Sequence, residues 1–156
     1  DMGQATIDRD LTSIVVDDEE LQITSISVGN PHSVTLVDDL AEVDLFKVGP
    51  MIETHEAFPN RTNVQFAQVI SDTHVKAIIW ERGAGHTLAS GSSSCAVAVA
   101  CYDKELVGGD VTVVMEGGDL SIELDSDLNM VMTGPVEETS LGTFSEDFMS
   151  RLMAME

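Results

Sequence analysis

Residues 95–107 constrain the fold more than any other part of the chain. They have the sequence CAVAVACYDKELV, which is rich in alanine and apolar on every side over its first two helical turns. Ser93 or Ser94 is placed to cap such a helix. A helix that is apolar all round has no face to turn to water, so other elements must enclose it. The run therefore predicts a buried central helix.

Short strands separated by turn residues fill most of the remaining sequence. The break at Gly29–Pro31 and the pair Gly117–Gly118 are typical turn signals. The predicted strands cover residues 21–28, 33–37, 63–70, 75–80, 111–115, 120–124 and 129–133. Many short strands around one buried helix predict an α+β fold, in which a curved mixed sheet wraps around the helix. No linker or repeat divides residues 1–156, which predicts a single domain.

Two further helices are predicted from capping and periodicity. Residues 39–48 carry apolar side chains at helical spacing and are followed by Gly49–Pro50, a pair that ends helices. Near the other end of the chain, Ser145 is placed to cap a helix whose Phe148 and Leu152 share a face.

The charge balance excludes several classes of partner. The chain has 28 Asp and Glu against 7 Lys and Arg, for a formal net charge of −21. Nucleic acid and an anionic membrane surface both attract basic patches, so neither is an expected partner. The acidic residues form short scattered clusters, which indicates a solvated surface. The pattern also suits a protein at high salt, where self-repulsion is screened.

Other sequence features bear on location and processing. No apolar run approaches the roughly 20 residues that span a bilayer, and the first residues lack a secretory signal. Cys95 and Cys101 lie six residues apart on different helix faces, which disfavours a disulfide and predicts buried thiols in a reducing cytoplasm. The chain starts without Met and enters strand-like sequence directly, so we expect a piece of a longer protein.

Residues 80–95, WERGAGHTLASGSSSC, carry the strongest chemical signal. A strand ends in Glu81–Arg82 and passes through three glycines into the N-terminus of the central helix. Free amides and the helix dipole at such a terminus bind carboxylate or phosphate. The phosphate-binding loop pattern fails because its lysine is absent. A plain helix-capping loop is the other interpretation, and the residues alone do not decide between it and an anion site.

Five ordered motifs give the chain a resemblance to the diaminopimelate epimerase family. ERGAGHTLASGSSSCA resembles the family signature, in which Glu–Arg–Gly leads to an Ala–Cys–Gly–Thr–Gly turn. The other matching segments are DMG at residues 1–3, GNPH at 29–32, FPNRTNV at 58–64 and MTGP at 132–135. The resemblance implies two similar domains, each a strand barrel around a central helix, with the active site in the cleft between them. This chain would be the second domain.

The resemblance also implies an activity and partners. Members invert Cα of a free amino acid by two-base proton transfer, without pyridoxal phosphate, metal or any other cofactor. The implied partners are the amino-acid substrate and the missing N-terminal domain, which brings the other catalytic cysteine, and a homodimer is possible. In substrate binding, Asn30 and Asn63 would hold polar groups, while Glu81 and Arg82 would engage the amino and carboxylate groups.

The remaining assignments concern the helix terminus and the bases. By resemblance, the amides of Gly91 and Ser92 would bind the α-carboxylate, and His32 and Glu81 would assist the bases. Ser90 stands at the position of the family's second catalytic cysteine. Inversion needs a base on each face of Cα, and a serine hydroxyl is a far weaker acid than a thiol.

The departures from the family pattern leave alternatives open. Ser90 is interpreted as a natural variant, an engineered substitution or a sign of altered chemistry. His86, where the family usually has an acidic residue, would deprotonate Ser90 if the loop brought them together; an exposed loop histidine is the other interpretation. The histidines lack metal-ligand spacing, so no metal site is predicted. A lyase on the same scaffold and a non-catalytic amino-acid-binding domain are the alternative functions.

Overall fold

A computed structural model of the protein describes residues 1–155, which form twelve strands, three α-helices and one 3-10 helix. The strands are β1 (Gly3–Gln4), β2 (Thr6–Asp8), β3 (Ser13–Val16), β4 (Glu19–Gln22), β5 (Thr24–Ser27), β6 (Pro31–Leu36), β7 (Asn63–Ser71), β8 (His74–Glu81), β9 (Gly85–Thr87), β10 (Asp110–Met115), β11 (Gly118–Leu124) and β12 (Asn129–Thr133). The helices are α1 (Leu45–Glu53), α2 (Gly91–Asp103) and α3 (Glu146–Met153), with the 3-10 helix at Leu40–Glu42.

The main sheet nearly closes on itself because its first segment pairs at both edges. The strand order is β1-β12-β11-β10-β8-β7-β6-β5-β2, with β9 added beside β8. β1 and β2 are separated only by Ala5, yet β1 pairs with β12 and β2 pairs with β5. The pairs β6–β7 and β8–β10 are parallel, so the sheet is mixed. The predicted α+β fold with a curved, barrel-like sheet is confirmed.

Helix α2 fills the inside of this barrel. Every residue from 93 to 101 is buried, and the helix contacts β5, β6, β7, β8, β10, β11 and β12. It is also the crossover between the parallel strands β8 and β10. Small alanine side chains allow strands to approach on all sides, so the all-round apolar sequence has the environment that it requires. The predicted central helix is confirmed.

Helix α1 covers the outer face of the sheet instead. It connects the parallel strands β6 and β7, and its Leu45 and Ile52 pack in a second apolar cluster with Phe66 of β7. The β3–β4 hairpin adds Ile14 and Val16 to the same cluster. The sheet therefore has a buried layer on each side, which explains why β7 begins with five consecutive buried residues.

The first residue of α2 differs from the prediction. The N-cap is Ser90, not Ser93 or Ser94, and its hydroxyl accepts a long hydrogen bond from the Ser93 amide at 3.5 Å. Ser93 and Ser94 lie inside the helix, where Ser93 accepts from the buried Gln65 amide at 3.0 Å. A residue of strand β7 thus holds Ser93, which the local pattern had placed at the cap.

The last residue of α2 also differs, because the helix stops at Asp103 instead of reaching residue 107. Glu105 adopts a left-handed φ of 58°. The Leu106 amide then bonds back to the Cys101 carbonyl at 3.0 Å, and the Glu105 amide bonds to Tyr102. This pair of bonds is a Schellman closure, which satisfies the carbonyls of the last turn.

The α1 prediction was wrong at both ends. Residues 39–48 divide into the 3-10 helix and the first half of α1, which continues through Gly49 and Pro50 to Glu53. A proline inside a helix loses one backbone bond. Burial of Leu45 and Ile52 in the second cluster offsets that loss, so tertiary packing overrides the local stop signal.

Two further elements refine the sequence prediction. Residues 21–28 form two strands, since β4 pairs with β3 in a separate hairpin and β5 joins the barrel. α3 begins after the predicted cap Ser145, whose side chain accepts from the Phe148 amide at 3.3 Å. No helix within residues 1–155 is long and apolar enough to cross a membrane.

Candidate functional site

Strand register brings the sequence motifs to one end of the barrel. The parallel pair β6–β7 sets His32 opposite Asn63, and the antiparallel pair β7–β8 sets Val64 opposite Trp80. The first residues of β6 and β7 therefore lie beside the last residues of β8, where Arg82 follows. The site is built at this shared edge because the two strand starts and one strand end meet there.

His32 is locked into a neutral hydrogen-bonded state. It is 1% exposed, with Nε2 3.0 Å from Asn30 Oδ1 and Nδ1 3.0 Å from Gln65 Nε2. Because the Gln65 amide donates to Nδ1, the ring proton lies on Nε2 and is donated to Asn30. Burial lowers the pKa of His32 to about 4, and the positive charge of Arg82 acts in the same direction. His32 is therefore uncharged, and the hydrogen bond that it donates orients the Asn30 side chain.

The same glutamine connects this pair to the central helix. Gln65 Nε2 also donates to Ser93 Oγ at 3.0 Å, and Ser93 lies in the first turn of α2. Asn30, His32, Gln65 and Ser93 therefore form one continuous chain of hydrogen bonds. This chain ties the loop before β6 to the N-terminal end of α2.

Asn63 braces two backbone segments. Its Nδ2 donates to the Pro31 carbonyl at 2.9 Å, and its Oδ1 accepts from the Arg82 amide at 2.9 Å. The Arg82 guanidinium donates to the Asn60 carbonyl at 3.1 Å and lines a concave surface that Asn30 and Arg61 also line. The structure places Asn30 and Arg82 on one surface, whereas the Asn63 side chain is buried beneath them.

Glu81 ends β8 with a half-exposed side chain. Its carbonyl accepts from the Ala84 amide at 3.1 Å, which closes the turn that presents Arg82. Within residues 1–155 the Glu81 carboxylate forms no ion pair with Arg82 or another cation. This turn is therefore held by backbone hydrogen bonding and not by an ion pair between Glu81 and Arg82.

The N-terminus of α2 leaves the amides of its first residues without acceptors inside the helix. Gly91 and Ser92 are its first residues and are half-exposed, while Ser90 caps them. The first amides of a helix have no acceptor within the helix and sit at the positive end of its dipole. The Ser90 carbonyl accepts from the Ser94 amide at 3.0 Å and from the Ser94 hydroxyl at 2.8 Å. Ser90 is therefore held firmly in the turn.

Comparisons with known proteins identify the family. Residues 24–139 match the family described as diaminopimelate epimerase. The chain belongs to the diaminopimelate epimerase family. A relative named diaminopimelate epimerase from Methanococcus maripaludis (strain C6) is 43% identical over 148 residues, covering 86% of this chain and 53% of that protein. One from Carboxydothermus hydrogenoformans is 40% identical over 155 residues, covering 92% and 57%.

The chain spans about half the length of these curated relatives of the diaminopimelate epimerase family. A solved structure of a probable proline racemase from Agrobacterium radiobacter K84 aligns with a TM-score of 0.56 at 11% identity. The alignment covers 82% of this chain and 46% of that one. At this identity the likeness concerns the fold alone. Here too, the chain matches about half of the other protein.

His86 does not approach the serine that departs from the diaminopimelate epimerase family pattern. Its Nε2 lies 3.6 Å from Glu116 Oε1, and its ring lies against Phe46 with centroids 5.3 Å apart. Within residues 1–155 it makes no hydrogen bond to Ser90. His86 lies in strand β9, opposite Trp80, with a side chain that is 22% exposed. The interpretation as an exposed loop histidine was therefore wrong, because pairing with β8 draws this segment into the sheet. The structure also gives no support to proton transfer from Ser90 to His86.

The remaining histidines and the cysteines have structural surroundings. His55 bonds to the Val15 carbonyl at 3.1 Å, and exposed His74 bonds to its neighbour Thr73. Burial raises the pKa of Cys95 to about 11 and that of Cys101 to about 12, so both are protonated thiols. Within residues 1–155 no three His, Cys, Asp or Glu side chains cluster as metal ligands.

Sequence reasoning missed residues that hold this site together. Gln65 had one available signal, since it is a polar residue directly between the apolar Val64 and Phe66 of a predicted strand. Asn60 and Arg61 belong to the segment FPNRTNV, but nothing in the local pattern indicated that they line the concave surface. Glu53 had no local signal, because its partners come from distant segments.

Proposed function

We propose that the complete protein is a cofactor-independent epimerase or racemase of amino acids, similar in reaction to diaminopimelate epimerase. This chain supplies one half of the site, and an N-terminal domain absent from it supplies the other half and the second base. One observation carries the proposal: the sheet register gathers Asn30, Arg82 and the first turn of α2 at one end of the barrel.

The two anion-binding groups of this site favour an amino acid with two carboxylates. The α2 amides suit the α-carboxylate, and Arg82 provides a separate cation in a chain of net charge −21. Two anion-binding groups match a substrate with two carboxylates, such as the diaminopimelate in the names of the curated relatives. Asn30 and Glu81 bind its amino and other polar groups, while Asn63 acts from below by fixing Arg82.

Proton transfer at Cα needs opposed bases. Removing the α-proton places negative charge next to the α-carboxylate, where the amides of Gly91 and Ser92 stabilise it. Ser90 faces one side of Cα as the weak acid–base group, and Glu81 is the carboxylate that assists it. His32 is neutral and contributes through Asn30.

The proposal extends to assembly and location. The chain alone lacks a base on one face of the substrate, so by itself it does not invert an amino acid. A homodimer is a possible assembly of the complete protein. Two free buried cysteines suit a reducing cytoplasm, which is the proposed location.

The direct experiment is deuterium incorporation at Cα in heavy water. The complete protein and this chain are incubated with each stereoisomer of diaminopimelate, and with proline and glutamate for comparison. Incorporation with inversion by the complete protein supports the proposal. An amino acid with a leaving group on Cβ, such as β-chloroalanine, is tested alongside. Loss of its chloride with the α-proton instead identifies a lyase, and binding without any exchange identifies a non-catalytic domain.

Replacing Ser90 by cysteine is expected to increase exchange. A thiol ionises far more readily than a hydroxyl, so the complete protein with Ser90→Cys gains about tenfold or more in α-proton exchange, equivalent to 1.4 kcal/mol. The increase should be confined to one stereochemical direction, because Ser90 serves one face. Deuterium wash-in is measured separately from each stereoisomer.

The matched control for this change is Ser126→Cys, an exposed serine in a turn away from the site. It introduces the same thiol and leaves exchange unchanged. Equal exchange rates for the parent and Ser90→Cys would remove Ser90 from the base position and leave it as the cap of α2 alone.

A further inference from the structure

Glu53 is a buried acidic residue that the proposed reaction does not use. It is the last residue of α1 and is 6% exposed. Its Oε2 accepts from the Trp80 indole at 2.8 Å, and its Oε1 accepts from the Gly83 amide at 3.0 Å and from Arg61 at 3.3 Å. Its backbone carbonyl accepts from the Thr62 amide at 3.1 Å. A single residue thus holds two separate loops.

Arg82 belongs to the first of these loops and bonds to the second. In the first loop, Gly83 directly follows Arg82 and has φ 78°, and Glu53 holds its amide while Asn63 holds the Arg82 amide. In the second loop, Arg61 follows Asn60, whose carbonyl accepts from the Arg82 guanidinium at 3.1 Å. Glu53 therefore fixes the backbone on one side of Arg82 and the segment that receives its guanidinium on the other.

The chemistry of the three contacts specifies a carboxylate at this position. Trp80, Gly83 and Arg61 all present N–H donors, and an ionised carboxylate accepts without donating. Burial would raise the pKa of Glu53, but the hydrogen bonds from Trp80, Gly83 and Arg61 hold it below its usual range. A glutamine of the same shape would turn an NH₂ group toward one of these donors, which leaves that contact unmade.

We propose that Glu53 is a positioning residue, which fixes the turn of Arg82 so that its guanidinium meets a carboxylate of the substrate. The inference rests on the proposed role of Arg82 in substrate binding. Glu53 itself lies beneath the surface and touches no substrate. Its contribution is to select one arrangement of the two loops before the substrate arrives, so that binding does not have to order them.

The test is a double-mutant cycle in the complete protein, with Glu53→Gln, Arg82→Met and the double variant. Glu53→Gln is expected to raise KM for diaminopimelate by about tenfold with a smaller change in kcat, since an anion-binding contact is loosened. In the Arg82→Met background the same change should have little further effect on KM, because the group that Glu53 positions is gone. Glu53→Asp is a conservative variant expected to recover part of the affinity.

Controls separate positioning from general stability. Glu56→Gln changes an exposed glutamate three residues along and should leave KM unchanged. Thermal unfolding of each variant confirms that the compared proteins are folded at the assay temperature. An equal rise in KM for Glu53→Gln in both backgrounds would overturn the proposal, because the effect would then not pass through Arg82.

A second measurement decides the matter independently of catalysis. In this chain, the ¹⁵N heteronuclear NOE of Arg82 Nε reports the order of its side chain. Glu53→Gln should lower that NOE, and Glu56→Gln should not. If the complete protein shows no turnover, the proposed function fails while this measurement still tests the positioning. An unchanged NOE at Arg82 would overturn the inference even in an active enzyme.

Discussion

Gly49→Ala is expected to destabilise the chain by about 2 to 3 kcal/mol, as overpacking of a buried site does. A Cβ at this position would stand 2.8 Å from Trp80 Cγ and 2.9 Å from its Cδ2. These atoms belong to the base of the indole and not to a flexible end, so the ring has to move. Trp80 also donates to Glu53, and a displaced indole weakens that bond.

This expected loss of stability is opposite in sign to the gain that helix propensity alone would give for Gly→Ala. Gly49 lies inside α1 without a left-handed φ, where alanine usually adds about 0.5 to 1 kcal/mol. Urea unfolding can be followed through the fluorescence of Trp80, the chain's single tryptophan. Gly108→Ala is the control, since a Cβ there meets nothing within 4 Å. Stabilisation by Gly49→Ala would show that α1 and β8 do not pack as described.

Acid is expected to remove about 3 kcal/mol of stability through His32 alone, because a pKa shift of one unit corresponds to about 1.4 kcal/mol. The pKa of His32 is lowered from 6.5 to about 4 in the folded state, chiefly by burial. Between these values the unfolded chain binds the proton and the folded chain does not. Stability therefore falls as the pH drops from about 6.5, and the full loss is reached below pH 4.

The measurement compares unfolding free energies at several pH values for the parent and His32→Gln. Glutamine retains hydrogen-bonding groups but does not titrate, so the His32-dependent slope between pH 6.5 and 4 should disappear. Carboxyl groups with lowered pKa values, such as those of Glu53 and Asp103, lose their contribution at lower pH in both proteins. His74→Gln, at an exposed position, should keep the parent slope. Parallel curves for the parent and His32→Gln would contradict a buried neutral His32.

Resemblance and periodicity predicted much of the candidate site, but not how its parts act. The motifs singled out Asn30, Arg82 and the first turn of α2, and the strand register brings them to one end of the barrel. The structure shows other contacts for His32 and Asn63, whose side chains bond to residues from distant segments. His32 has both ring nitrogens bonded and is uncharged, and Asn63 uses both ends of its amide on the backbone. Their substrate and catalytic assignments remain predictions.

Some errors in the fold prediction have the same physical cause. Pro50 signals a helix end, and Ser93 and Ser94 signal a helix start, when only neighbouring residues are considered. In the folded chain, Pro50 stays within α1 because Leu45 and Ile52 are buried against distant strands. Ser93 lies inside α2 because Gln65, from another strand, donates to its hydroxyl.

The sequence by itself determined that a helix would be central, because residues 95–101 are apolar on every side and no other environment satisfies them. It also determined that glycine and serine residues lead into the N-terminus of that helix. Only the tertiary structure decided that residues 3–8 close the barrel and that Glu53 holds the two loops around Arg82. Hydrophobic periodicity shows which side chains of a segment face the core and which face solvent. Hydrogen-bond and packing partners that are far apart in the chain are fixed only when the segments pack together.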